Sequence, residues 1–321
     1  MNSITSFLKL IRAVNLFIIA LSVSLFYYLI IVPAHKFKLF TTLVPFTDFE
    51  FVLFVLSVVF IAAAGNIIND YLDFDLDKEF KPERPLPQGA FSLDTAMYLH
   101  AAFVLAGIAL GFYLGYKANN YKIGYIYIIC ALMLYVYSAY LKKMPLAGNI
   151  LVSALTGFVF VLLMLFEVNF LNTIYFEGSR YVLDMLLWQV KFYGGFAFFM
   201  NLSREIVKDI EDREGDAQHS VNTLAVQFGE PVAKIAVAIV LVLLLADLTF
   251  FMSGFITAGA VKEFIYLTTV VAIPVLVSIV LLFMAKERKQ YSRISLLLKI
   301  IMLLGILSIP AFYLFNLQPA A

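Results

Sequence analysis

Two short stretches hold 12 of the 22 acidic residues of this chain: Asp70, Asp73, Asp75, Asp77, Glu79 and Glu83 in one, Glu205, Asp209, Glu211, Asp212, Glu214 and Asp216 in the other. Each contains the pattern D-x-x-D-x-x-x-D, as Asp70, Asp73, Asp77 and as Asp209, Asp212, Asp216. On a helix, steps of three and then four bring such carboxylates to one face, with neighbours about 6 Å apart. Asn66 and Glu205, each four residues before the first aspartate, extend those faces, and Asn69 stands beside the first. Carboxylates this close repel one another until a cation neutralises them. An all-oxygen set without Cys or His selects a hard ion, and Mg²⁺ commonly takes one or two carboxylates, several waters and substrate phosphates. The chemistry implied is Lewis-acid ionisation of a metal-bridged diphosphate held between two Mg²⁺ half-sites, with Asp70, Asp73, Asp209 and Asp212 carrying it.

The remainder of the chain must place these acids at a membrane. Of 321 residues, 63% are hydrophobic and 14% charged, and the mean hydropathy is +0.93, far from the balance of a soluble domain. Apolar stretches near the length a bilayer requires fall at about 14–32, 43–65, 91–116, 122–141, 147–168, 181–202, 231–253, 264–285 and 294–317. The expectation is an all-α integral membrane fold of nine transmembrane helices. Because the two acidic patterns follow spans 2 and 6, it is read as two four-helix pseudo-repeats plus a C-terminal helix. The chain is read as one polytopic domain, 1–321, with acid-rich segments at about 66–90 and 203–223. With the N-terminus inside, most Lys and Arg fall on the cytoplasmic side, so the acids are expected on the cytoplasmic face of the cell's inner membrane.

The basic residues near the acids admit two roles. Arg84, Arg204 and Lys208 could bind diphosphate oxygens or pair with the carboxylates. Lys142 and Lys143, after Tyr137 and Tyr140, could approach the phosphates or snorkel to the interface. The run Arg84-Pro85-Leu86-Pro87-Gln88-Gly89 is expected to form a shaped loop, since its prolines remove donors and restrict their predecessors. His35, His100 and His219 are dispersed, and Cys130 is alone. A net charge of +1 with scattered basic residues does not point to nucleic acid. Membrane lipid and a diphosphate-bearing substrate are the expected partners. A divalent-cation transporter is a non-enzymatic alternative, although it would place acids at mid-bilayer. A CDP-alcohol phosphotransferase would need a D-G-x-x-A-R signature, which is absent.

At the two motifs the chain resembles the UbiA-type intramembrane prenyltransferases. Asn69-Asp70-x-x-Asp73-x-x-x-Asp77 and Asp209-x-x-Asp212-x-x-x-Asp216 are similar to that family's two signatures. Arg84-Pro85-Leu86 through Gly89 is similar to its R-P-L-x-x-G loop. Arg12 and Asn15 look like its R-P-x-N element, with Ala13 in place of the proline. Phe80 stands where the family often has Asn, and Tyr137 with Lys142, or Tyr140 with Lys143, matches its Y-x-x-x-K loosely. The resemblance implies that the partners are an isoprenoid diphosphate and a lipid-soluble prenyl acceptor, that Asn66, Asp70, Asp73, Asp77, Asp209, Asp212 and Asp216 bind Mg²⁺ and diphosphate, and that an allylic cation is captured by a nucleophile. The stretch from Ser203 to Asp216, with its R-E-I-x-K-D-x-E-D-x-x-G-D pattern, resembles the branch that transfers geranylgeranyl to geranylgeranylglycerol phosphate. An aromatic acceptor, as in quinone or haem side-chain biosynthesis, is the other reading.

Overall fold

A computed structural model describes residues 3–39, 43–173, 179–219 and 221–317. Ser220, inside the second acid-rich segment, lies outside them. Among the described residues there are helices and connecting turns, with no strand. The helices are α1 (Ser3–Leu10), α2 (Ala13–Lys38), α3 (Asp48–Leu72), α4 (Phe74–Phe80), α5 (Leu93–Lys117), α6 (Lys122–Ala139), α7 (Ala147–Thr173) and α8 (Ser179–Gln218). They continue with α9 (Leu224–Gln227), α10 (Glu230–Thr257), α11 (Val261–Met284), α12 (Arg288–Ile306) and α13 (Ser308–Leu317).

Among the described residues, 8 helices are long and apolar enough to cross a membrane. They correspond to every expected span except the sixth. That one forms the first half of α8, where Asp184 and Lys191 interrupt the apolar run. At 40 residues α8 is about 60 Å long, roughly twice the hydrocarbon thickness. Its charged second half is therefore available to carry chemistry outside the bilayer. The protein is an integral membrane protein.

The chain separates into two compact units. The first comprises 1–24, 43–142 and 165–176; the second comprises 25–42, 143–164 and 177–321. The bulk of each follows the expected division after span 4, whereas α2 and α7 each contribute to both. In the first unit α3 opens on a capping box, the Thr47 hydroxyl accepting from Glu50 N–H while the Glu50 carboxylate accepts from Thr47 N–H at 2.9 Å. Helix α5 opens on Ser92, which accepts from Thr95 N–H at 3.1 Å. Gly111 and Gly124 let α5 and α6 close upon the rings of Tyr127 and Phe112. The buried Ser57 hydroxyl of α3 donates to Tyr127 Oη at 3.0 Å.

In the second unit α8 is the hub, in contact with α10, α12 and α9. Phe192 stacks on Phe251 of α10, ring centroids 3.5 Å apart. Gly305 of α12 lies against the Phe196 ring. Gly157 of α7 faces Gly194 of α8 so closely that a Cβ on Gly157 would sit 2.5 Å from the Gly194 carbonyl oxygen. Close backbone approach through small residues is a general source of helix association where lipid already removes the hydrophobic driving force.

Backbone cannot yield as a side-chain tip can. Gly157→Ala is therefore expected to destabilise the detergent-solubilised protein by about 1–3 kcal/mol. Gly254→Ala, whose Cβ meets only Trp188 at 3.8 Å, is expected to be neutral or stabilising. Thermal unfolding of the two variants beside the parent measures the difference.

Candidate active site

The first motif is assembled around a break in the N-terminal helix. Between α1 and α2 the backbone of Arg12 is left-handed, φ +53°, a conformation strained for a side chain with a Cβ. The Asn66 amide donates to the carbonyl of Ile11 at 2.9 Å, giving the broken turn a partner. One turn beyond Asn66, Asp70 accepts from Arg12 Nη2 at 2.7 Å. Asn66, expected among the metal ligands, thus spends its amide on positioning Arg12 and keeps its oxygen as a donor atom. Asn15 lies at the start of α2, its N–H donating to the Arg12 carbonyl at 2.8 Å.

The helix carrying the motif does not run straight through. It stops at Leu72, Asp73 sits at the junction with φ −91° and ψ 4°, and α4 restarts at Phe74. The ladder nonetheless survives, with Asp73 N–H donating to Asn69 O at 3.0 Å and Asp77 N–H to Asp73 O at 2.8 Å. The Arg84 guanidinium serves two acids through Nη1, Asp77 at 2.5 Å and Asp70 at 3.4 Å. Asp73 points elsewhere, accepting from Lys142 Nζ at 2.5 Å and from the Asn69 amide at 3.1 Å. Asn69 also accepts from Lys142 at 3.5 Å. Three carboxylates therefore meet three cations, Arg12, Arg84 and Lys142.

The loop that delivers Arg84 is non-helical, as its prolines require. Gly89, with φ +72°, closes it through its N–H to Leu86 O at 2.9 Å, and Ala90 N–H reaches Pro85 O at 3.0 Å. Leu86 is buried with Leu10, Ile67 and Ala96, so a hydrophobic plug from the loop ties α1, α3 and α5 together beside the acids. Asp70 and Asp77 are 5% and 1% exposed. Burial pushes the Asp77 carboxyl up, opposed by Arg84 and reinforced by Asp73 and Asp70.

The second motif lies on unbroken helix. Glu205 joins its own neighbours, Arg204 at 2.7 Å and Lys208 at 3.7 Å. Asp209 accepts from the amide of Asn149, at the start of α7, at 2.7 Å. Asp212 lies 3.5 Å from Arg288 of α12, and the Asp216 carbonyl accepts from Val221 N–H at 2.9 Å as the helix ends. Desolvation, with the charges of Glu205 and Asp216, pushes the Asp209 carboxyl up to about 8, against the Asn149 hydrogen bond and Lys208. Where Asp70, Asp73 and Asp77 each face a cation, the side-chain hydrogen bond to Asp209 comes from a neutral amide.

This environment suits a hard cation. The available donors are carboxylate and amide oxygens, and Asp209 is a desolvated carboxylate whose ionisation a divalent ion would favour. Among the described residues no three acidic, His or Cys side chains gather in a way that could hold a metal ion by themselves. Mg²⁺ needs only one or two such ligands when phosphate and water complete its shell.

Of the remaining sequence-derived candidates, Tyr137 is half-buried near the end of α6, while Tyr140 and Lys143 are exposed. The Lys143 carbonyl accepts from Asn222 N–H at 3.1 Å. Lys142, not Lys143, reaches an aspartate of the first motif. Sequence reasoning passed over Asn149 and undervalued Arg12. The first is one polar residue at the mouth of an apolar span. The second reaches Asp70 through a break that no propensity announces.

The sequence profile of the UbiA prenyltransferase family matches residues 39–303. The chain belongs to that family. Among UbiA relatives, the digeranylgeranylglyceryl phosphate synthase of Sulfolobus acidocaldarius is 34% identical over 87% of this chain and 88% of its own length. That of Methanothermobacter thermautotrophicus is 32% identical over 82% and 85%. The relative of the same name from Methanobrevibacter smithii is 34% identical over 61% of this chain and 64% of its own length. A solved structure concerned with digeranylgeranylglyceryl phosphate synthase in membranes superimposes with a TM-score of 0.62 at 24% identity, covering 96% of this chain and 98% of the other. A UbiA homologue from Archaeoglobus fulgidus bound to DMAPP and Mg²⁺ gives 0.55 at 17%, covering 95% and 99%. The all-α membrane fold and the prenyltransferase family expected from the motifs both hold.

Removing one partner of a buried ion pair costs about 3–5 kcal/mol, because the other charge stays buried. Arg84→Ala is accordingly expected to lower metal-free thermal stability by several degrees, with Mg²⁺ recovering part of the loss. A second expectation follows from Asp209. Its folded carboxyl titrates near 8 against an ordinary value of 3.8, so the stability present at low pH is lost as pH rises through that window. Metal-free melting temperatures are expected to fall as pH rises from about 5 to about 8, and Asp209→Asn to flatten the decline, measured by near-ultraviolet circular dichroism.

Proposed function

We propose that the protein catalyses Mg²⁺-dependent transfer of a geranylgeranyl group from geranylgeranyl diphosphate to the free hydroxyl of geranylgeranylglycerol phosphate. The observation that carries this reading is the likeness, at 32–34% identity over more than four-fifths of the chain, to relatives named for that product. It is supported by paired acids and bases at the first motif and by the desolvated Asp209 at the second.

The reaction begins as the bond between C1 of the prenyl chain and the diphosphate oxygen breaks, its electron pair leaving with the diphosphate. Asp70, Asp73, Asp77, Asp209, Asp212 and Asp216, with the Asn66 oxygen, would hold Mg²⁺, which when bound would supply Lewis-acid neutralisation of that leaving group. Arg84 and Lys142, already aligned on Asp77, Asp70 and Asp73, supply fixed donors for diphosphate oxygens. Because they are held before substrate arrives, little reorganisation is needed as charge develops. Arg12 keeps Asp70 oriented. The acceptor hydroxyl then attacks C1, forming the ether C–O bond, and its proton leaves to water or to the departing diphosphate.

The two units serve a single polytopic domain, 1–321, in this reading, so both motifs are needed for one turnover. The excess of Lys and Arg on the face that carries the acids supports an active site facing the cytoplasm, in the cell's inner membrane.

The test is incubation of the purified protein with Mg²⁺ and labelled geranylgeranyl diphosphate, offering geranylgeranylglycerol phosphate and aromatic acceptors separately. An EDTA-sensitive diether phosphate is expected, and Asp70→Asn and Asp209→Asn are each expected to lower kcat/KM by about 10²–10³-fold. A prenylated ring would move the acceptor to the aromatic class. Absence of transfer to every acceptor would overturn the proposal.

A further inference from the structure

The acid-bearing end of α8 runs past its apolar anchor. Ile206, Val207 and Ile210 are buried, whereas no residue from Glu211 to Gln218 is. The contact of Phe196 with Gly305 lies about 24 Å back along the helix from Asp212. Helix ends without buried neighbours fray. Asp212 and Asp216 sit in that stretch, where α8 contributes no buried side chain to hold itself, so polar contacts must fix them if they are to face a cation together.

Two ion pairs engage α8 there from different helices. Asp212 lies 3.5 Å from Arg288 of α12, and its neighbour Arg213 lies 3.6 Å from Glu230 at the start of α10. An exposed ion pair contributes little when both partners are free to swing. Glu230 is not free: its carboxylate accepts from Tyr291 Oη at 2.5 Å and from Lys234 Nζ at 2.9 Å. Tyr291 and Lys234 are 2% and 8% exposed. Tyr291 Oη and Lys234 Nζ also lie 2.9 and 2.6 Å from the carbonyl oxygen of Ala285, the residue that caps α11. The Lys234 ammonium stands 5.4 Å from the centroid of the Tyr291 ring. One carboxylate, one buried ammonium, one phenol and one helix-end carbonyl thereby join α10, α11 and α12 at a single point. Removing any member would leave a buried polar group without its partner, so the junction holds as a unit. Tyr291 and Arg288 are one turn apart on α12, so the same junction sets the reach of both side chains that meet Asp212 and Arg213.

We propose that Glu230 is a positioning residue of the second half-site: acting through Arg213, it holds the end of α8 so that Asp212 and Asp216 face one divalent cation. This rests on the metal reading proposed above and adds the device that shapes it. The second motif lacks the loop and the broken helix that arrange the first, and the junction of three neighbouring helices takes their place.

Mn²⁺ binding to the full chain in detergent, read by electron paramagnetic resonance with methylenediphosphonate present and no prenyl substrate, tests the assignment. Glu230→Gln removes the charge that Arg213 meets and keeps an oxygen for Tyr291 and Lys234. It and Arg213→Gln are each expected to raise the Mn²⁺ dissociation constant at least about tenfold. Because one acts through the other, the double variant is expected to bind no more weakly than the weaker single variant. Lys117→Gln, which breaks a 3.6 Å ion pair with Glu50 in the other unit, is expected to leave the constant unchanged. Melting temperatures of all four separate a loss of stability from a loss of the site. Unchanged Mn²⁺ affinity in Glu230→Gln, or additive losses in the double variant, would overturn the proposal and leave the metal reading standing. A parent chain that binds no Mn²⁺ would overturn that reading and this one with it. If Glu230→Gln fails to fold, the exposed Arg213 decides: weakened binding in Arg213→Gln with recovery in Arg213→Lys supports the proposal, and equal affinity in both overturns it.

Discussion

A carboxylate almost closed off from solvent at the end of an apolar helix is costly to keep ionised unless a cation is fixed beside it, and Asp70 has two. The rest of the first motif follows from that pairing. Arg12 reaches Asp70 because the N-terminal helix breaks in a left-handed turn whose free carbonyl is taken by Asn66. Arg84 reaches Asp70 and Asp77 because Leu86 plugs its loop into the packing of α1, α3 and α5. Neither cation is near these acids in sequence terms that a helix could explain. Each is carried there by a separate piece of irregular backbone, with its own hydrogen bonds and its own apolar anchor.

The two motifs share a spelling and differ in physics. The first bends at Asp73, which turns that carboxylate to Lys142 while Asp70 and Asp77 share Arg84. The second stays helical to Gln218, and its Asp209 is met by a neutral amide from α7. Charge balance in the first makes it a set of pre-aligned ion pairs. Desolvation in the second pushes the Asp209 carboxyl up, a penalty that a bound divalent charge would relieve. Equal patterns of acids thus suit different tasks according to what the neighbouring elements contribute.

Helix α8 joins membrane packing to chemistry. Its first half presents Gly194 and the faces of Phe192 and Phe196 to close neighbours, where shape alone fixes its rotation and depth. Its second half carries Arg204, Glu205, Lys208, Asp209, Asp212 and Asp216 outward on the same rigid rod. Rotation set by the small-residue contacts therefore sets which way the charged side chains point. The same packing brings α12 alongside, with Arg288 on Asp212 and Gly305 on the Phe196 ring.

Much of this was legible in the chain itself. Hydropathy located the spans, because a bilayer demands long apolar helices and tolerates little else, and duplicated acids at helical spacing pointed to metal and diphosphate chemistry. The prolines after Arg84 foretold a loop for the same local reason: a residue without an N–H cannot continue a helix. The sixth span was the weakest of the nine, since Asp184 and Lys191 dilute its apolar signal. What tertiary structure alone decided were the partners. Arg12 on Asp70, Lys142 rather than Lys143 on Asp73, Asn149 on Asp209 and Arg288 on Asp212 join residues tens of positions apart. Those encounters depend on where helices break, how closely glycines let them approach and how far each is rotated, and these are properties of packing that no local pattern encodes.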